Sequence, residues 1–127
     1  PVNTILLAMY GQGKTRGNVG LLKIESTTNQ ACAAIPPTNN INHVFLFELL
    51  KNSYEFIRSL ARGGNQENLN LNIVGNIDII VPPPDLQLRF AQLVEKTEVL
   101  KEQYKGSLQE LENLYGSLSQ RAFRGEL

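Results

Sequence analysis

Residues 77–94 read Ile77-Asp78-Ile79-Ile80-Val81-Pro82-Pro83-Pro84-Asp85-Leu86-Gln87-Leu88-Arg89-Phe90-Ala91-Gln92-Leu93-Val94, and the three prolines divide two kinds of sequence. Consecutive prolines make a stiff spacer that cannot continue a helix. After them comes one long helical pattern without proline, with Asp85 as the expected N-cap and its charge suited to the helix dipole. Phe90, Thr97, Tyr104, Leu111 and Leu118 lie seven apart, and Leu93, Leu100 and Leu114 fall three residues after members of that series. Val94, Leu108, Tyr115 and Ala122 fall four after, widening a heptad-like seam. A helix from residue 85 to about residue 123 is roughly 58 Å long at 1.5 Å per residue. A domain built from the residues before it is only about 25–30 Å across. Part of the apolar stripe is therefore expected to meet something other than its own domain. Gly106 and Gly116 weaken the helix by about 1 kcal/mol each relative to Ala, so packing has to hold it.

Before the prolines the pattern is shorter and more varied. Residues 4–10 form a continuous apolar run, expected as a strand buried on both faces, and a polar glycine-punctuated loop follows, Gly11-Gln12-Gly13-Lys14-Thr15-Arg16-Gly17. Residues 19–24 and 30–35 read as further strands, and Pro36-Pro37-Thr38-Asn39-Asn40 as a turn. From Ile41 to Arg62 the period turns helical, with a break near Asn52-Ser53 and a stop at Gly63-Gly64. Asn70 is placed to cap a helical turn, and residues 77–81 read as a last strand. The fold class is α+β, a small mixed α/β domain followed by one long coiled-coil-like helix.

Composition narrows the chemistry. The 127 residues suit one domain, or one domain plus an appended element, and 42% hydrophobic with 19% charged is an ordinary globular balance. Twelve Lys plus Arg against twelve Asp plus Glu cancel, so only local clustering can argue for nucleic acid. One cysteine, Cys32, excludes an internal disulfide or a multi-cysteine zinc site, and reads as a small buried hydrophobe among alanines. His43 sits at a helix start as a surface or capping residue. No pair of acids stands out as an acid/base couple, no cofactor motif is complete, and no apolar run reaches about 18 residues, the length that spans a membrane. The opening Pro1-Val2-Asn3 has no leader pattern and reads as a cut from a longer cytoplasmic protein.

An apolar strand before Gly13-Lys14-Thr15 invites comparison with a phosphate-binding P-loop. That loop requires glycine where this chain has Ala8, and a helix where Arg16-Gly17-Asn18-Val19 leads into a strand. The alternative is a basic recognition loop. Lys14, Arg16 and Lys23 are positive, and the first 24 residues contain no acid. Arg suits guanine, Lys suits phosphate, and Asn and Gln suit adenine. Thirteen Asn and eight Gln exceed what the few turns need, and several gather near glycine, as in Arg62-Gly63-Gly64-Asn65-Gln66 with Asn68. The residues alone leave two readings open: DNA contact through Gln12, Lys14, Thr15, Arg16, Lys23, Arg62, Asn65, Gln66 and Asn68, or a solvated hairpin that is basic by chance. The Glu and Lys residues of the long helix are its solvated faces.

Five segments together resemble the DNA sequence-specificity (S) subunit of type I restriction-modification enzymes. They are residues 8–17, residues 29–35 (Asn29-Gln30-Ala31-Cys32-Ala33-Ala34-Ile35), residues 64–69, residues 79–84, and the tail from Leu118 through Arg121-Ala122-Phe123-Arg124-Gly125-Glu126-Leu127. The resemblance implies a non-catalytic subunit with two target recognition domains separated by long helices, each domain reading half of a split site in double-stranded DNA. It implies assembly with modification subunits that methylate adenine and with restriction subunits, in defence against foreign DNA. In that frame residues 1–84 are part of one target recognition domain, lacking its usual opening portion, and residues 85–127 the helix that follows. The tail favours the C-terminal recognition domain or a short single-domain subunit. Gln87-Leu88 stands where the family has Glu-Gln, a minor departure. The seam of Phe90, Leu93, Val94, Thr97, Leu100, Tyr104, Leu108, Leu111, Leu114, Tyr115 and Leu118 would pair with another S-subunit helix or a second copy. An assembly scaffold that does not bind DNA by itself is the rival reading.

Overall fold

The computed structural model describes residues 1–61 and 68–127. Its elements are β1 (Ile5–Ala8), β2 (Val19–Leu21), β3 (Cys32–Ile35), α1 (His43–Asn52), α2 (Tyr54–Ser59), α3 (Leu71–Gly75) and α4 (Pro84–Phe123). The class is the expected α+β, a small sheet with helices and one long C-terminal helix. The chain divides into two compact units, Pro1–Ala91 and Gln92–Leu127.

In the first unit β1 is the middle strand of an antiparallel sheet ordered β2-β1-β3. Leu7 lies opposite Val19 on one side and Ala33 on the other. Side chains alternate along a strand, so Ile5, Leu7 and Met9 share one face, and all three are buried. Leu6 and Ala8 are only half-buried, so the expected burial on both faces is complete on one. Leu46 and Leu50, one turn apart on α1, close over that face with Ile57, Ala61 and Leu69.

The helix boundaries have local causes. The Asn42 side chain accepts the backbone N–H groups of Val44 and Phe45, which starts α1. Ser53 ends it by donating its hydroxyl to the Leu49 carbonyl at 2.8 Å, and α2 begins at the next residue, so the break falls where the polar pair marked it. Asn70 caps α3 through Ile73 N–H.

Four expectations need correction. Residues 77–81 carry strand-like side chains but form no strand. They run straight into prolines that have no N–H to donate, and Ile79, Ile80 and Val81 remain exposed. β2 stops at Leu21, leaving Ile24 exposed. Cys32, on an edge strand, is half-buried and not buried. Asp85 is not the N-cap, because α4 already starts at Pro84, the position where a missing N–H costs nothing.

The opening turns of α4 belong to the first unit. Gln87 is buried there; its side chain donates to the Pro82 carbonyl at 2.7 Å and accepts Asn42 N–H at 2.8 Å. Phe90 meets Phe45 of α1 edge to face, ring centres 5.8 Å apart. At the other end of α4 the tail forms a helix stop. Glu126 N–H reaches the Arg121 carbonyl, Gly125 N–H reaches that of Ala122, and Gly125 has a φ of 71°, together a Schellman motif.

Candidate nucleic-acid interface

The loop between β1 and β2 is closed at its base by two backbone hydrogen bonds, Gly17 N–H to Ala8 O and Ala8 N–H to Asn18 O. Inside the loop the Asn18 side chain donates to the Lys14 carbonyl at 2.6 Å. On its other side Met9 is tied to Ala31 and Leu69 by backbone bonds, which brings Asn68 beside the loop. The loop is thus anchored on the central strand, while Gln12, Lys14 and Thr15 remain exposed.

Helix α2 lies against the loop from one side. The Tyr54 hydroxyl donates to the Lys14 carbonyl at 2.8 Å, and Arg58 Nη1 donates to the Arg16 carbonyl at 2.7 Å. The Arg58 guanidinium also sits over the Tyr54 ring, 5.3 Å from its centre. Gly17 has a φ of 86°, and a Cβ there would stand 2.8 Å from Arg58 Cγ. Only glycine accepts both the conformation and the close approach.

Between loop and helix is an open cleft of about 640 Å³ lined by Tyr10, Gly11, Gln12, Gly13, Arg16, Arg58 and Asn68. No acidic side chain is among these described residues. Lys14, Arg16 and Arg58 take part in none of the ion pairs among the described residues, which are confined to Glu-Lys neighbours on α1 and α4. Arg16 Nε is buried and has no hydrogen-bond partner among the described residues. A buried cationic donor without a partner costs free energy, and an anion reaching the guanidinium would offset it. Two guanidiniums, two amides and a tyrosine around one opening can hold a phosphate oxygen or a base edge.

Of the residues singled out from the sequence, Gln12, Arg16 and Asn68 line the cleft, and Lys14 and Thr15 project from the same loop. Lys23 is exposed beyond β2 and does not line it. Arg62, Asn65 and Gln66 lie outside the described residues. Sequence reasoning missed Tyr10, Tyr54 and Arg58. The signal was present in part: Tyr54 and Arg58 are spaced i, i+4 on one helix, the spacing at which an arginine covers a ring.

In the second unit the seam of α4 is open. Leu93, Leu100, Tyr104, Leu108, Leu111, Leu114, Tyr115 and Leu118 are all exposed, Tyr104 at 70% and Tyr115 at 75%. Thr97 turns its hydroxyl back to the Leu93 carbonyl, and Val94 is half-buried. Among the described residues no three His, Cys, Asp or Glu side chains converge on one point, and no helix is long and apolar enough to cross a membrane. Residues 1–113 match the family model of the type I restriction modification DNA specificity domain.

Proposed function

The chain belongs to the type I restriction modification DNA specificity domain family, and we propose that it is a sequence-reading, non-catalytic part of a type I complex that contacts duplex DNA through the β1–β2 loop. The observation that carries this is the cleft at the loop, where Arg16 and Arg58 stand with amides and without a carboxylate among the described lining residues. Lys14 and Arg16 hold phosphate and fix the register, with Arg58 adding positive charge beside them. Gln12 and Asn68, with Arg16, offer the donors and acceptors that distinguish base edges. Modification and restriction subunits perform methylation and cleavage, in the cytoplasm where the DNA is.

Residues 85–127 serve as the assembly element. Eight large side chains of the seam are exposed, and large apolar side chains left open along one helix mark an interaction surface. A second helix of the same heptad character, from the parent chain or a second copy, would cover it, and the modification subunits dock beside it. The scaffold reading draws on this same stripe. It differs in denying the loop any DNA contact.

The test is fluorescence anisotropy of a labelled duplex titrated with the chain and with its Lys14→Ala/Arg16→Ala variant. The variant should bind more weakly, and the slope of log affinity against log salt should flatten by about 1 to 2, because each lost phosphate contact removes about 0.9. Equal affinity and equal slope would support the scaffold.

A further inference from the structure

We propose that Tyr54 and Arg58 are positioning residues for DNA contact: α2 holds the Lys14–Arg16 segment in the conformation that meets the duplex. This deepens the reading above and rests on it.

The two carbonyls that α2 grips belong to the two basic residues of the loop. Tyr54 takes the Lys14 carbonyl and Arg58 takes that of Arg16. Fixing a carbonyl fixes the peptide plane that follows it, and with it the direction in which neighbouring side chains leave the backbone. Gly17, the next residue, is pressed against the same helix, within 2.8 Å of Arg58 Cγ and 3.5 Å of the Tyr54 carbonyl for an added Cβ. Three points of one short segment are therefore set by one face of α2.

The gripping residues are themselves held. The Arg58 guanidinium stacks on the Tyr54 ring, so the helix presents the pair as one unit. Tyr54 and Arg58 are half-buried, and Ile57 between them is fully buried, which roots that face in the core. A flexible glycine-containing loop with unrestrained lysine and arginine would lose much of its binding free energy to ordering. Held beforehand, it does not. Arg58 also lines the cleft, so its remaining N–H groups add positive charge where Arg16 Nε has no partner.

A double-mutant cycle separates positioning from simple support of the fold. Tyr54→Phe removes one hydroxyl and keeps the ring, and Arg58→Lys keeps the charge but loses the planar fork and its stacking. Each is combined with Lys14→Ala/Arg16→Ala in the full chain, and binding of a labelled random-sequence duplex is measured across salt, with thermal melts on every variant. Tyr54→Phe alone should weaken binding about three- to tenfold, the effect of one hydrogen bond. Its salt slope should stay that of the parent, because tyrosine neutralises no phosphate. In the Lys14→Ala/Arg16→Ala background the same change should cost less than twofold.

Equal losses in both backgrounds would overturn positioning, since the hydroxyl would then act independently of the loop charges. So would a Tyr54→Phe chain that binds as the parent does while Lys14→Ala/Arg16→Ala is weakened. If Lys14→Ala/Arg16→Ala binds like the parent, the DNA reading itself falls, and this proposal with it. Should Tyr54→Phe fail to fold, Arg58→Lys carries the cycle on affinity alone: it keeps the charge, so positioning predicts a smaller loss in the Lys14→Ala/Arg16→Ala background than in the parent, and equal losses overturn it.

Discussion

Replacing Gln87 by alanine should unfold the first unit several degrees earlier while leaving helix content almost unchanged. Gln87 is only 3% exposed, and its amide both donates to Pro82 and accepts from Asn42, at 2.7 and 2.8 Å. One side chain thus joins the proline turn, the start of α1 and the opening of α4. Alanine leaves an N–H and a carbonyl without partners, each costing about 1–3 kcal/mol if sealed from water. Asn42 and Pro82 are half-buried, so water reaches both in part, and the low end of that range applies. We expect about 2 kcal/mol in total, which for a unit of this size lowers Tm by roughly 8–16 °C. Gln87→Glu keeps an acceptor for Asn42, but while ionised it buries a charge and sets a carboxylate oxygen against the Pro82 carbonyl, so at neutral pH it should destabilise at least as much as alanine. The assay is thermal unfolding followed by circular dichroism and by aromatic fluorescence. A Gln87→Ala chain melting within about 2 °C of the parent would refute the reasoning, for the strut would then hold nothing the solvent cannot replace.

Three further outcomes follow from the same geometry. Gly17→Ala should destabilise by about 1–3 kcal/mol, since alanine must adopt a φ near 86° and displace Arg58 Cγ; chemical denaturation checks it, and an unchanged midpoint would contradict the close approach of α2. Thr4 is 3% exposed and its hydroxyl has no partner among the described residues, so Thr4→Val should raise stability by up to about 1 kcal/mol; a lower Tm would show that the hydroxyl is bonded. In the second unit, Tyr104→Lys with Leu111→Lys should keep the helical circular dichroism and abolish any rise of mass with concentration in sedimentation equilibrium, because both side chains are exposed on the seam. Self-association that survives both charges would move the contact off this stripe.

What the sequence made legible was whatever depends on neighbours in the chain. The period of Leu46, Leu50 and Ile57 set α1 and α2, and Ser53 broke them where the polar pair predicted. The proline-free stretch after Pro84 became α4. The glycine of the tail pattern has a concrete function in the fold: Gly125 supplies the left-handed residue that ends that helix. Less legible was anything that needs a partner from elsewhere. Residues 77–81 have strand composition, but a strand exists only where a free edge receives it, and propensity is silent on that. Positive charge on the β1–β2 loop could be read directly. The residues that hold that loop, Tyr54 and Arg58, lie 40 and 42 positions away from the carbonyls they bind. Gln87 reaches 45 positions back to Asn42, and in the sequence it stands only as a minor departure from the family pattern. Tyr54 was readable only as an apolar member of a helical period, since nothing local says that its hydroxyl has a destination.

Where the duplex lies on the chain decides between a DNA-reading loop and a scaffold. Amide hydrogen exchange of the chain, read with and without saturating duplex DNA, locates it directly. Contact through the loop predicts slowed exchange at residues 11–18, extending to α2 and to Asn68 around the cleft, with the seam of α4 unaffected. Exchange that slows only along residues 92–123, or that leaves the loop between β1 and β2 as open as before, would contradict it.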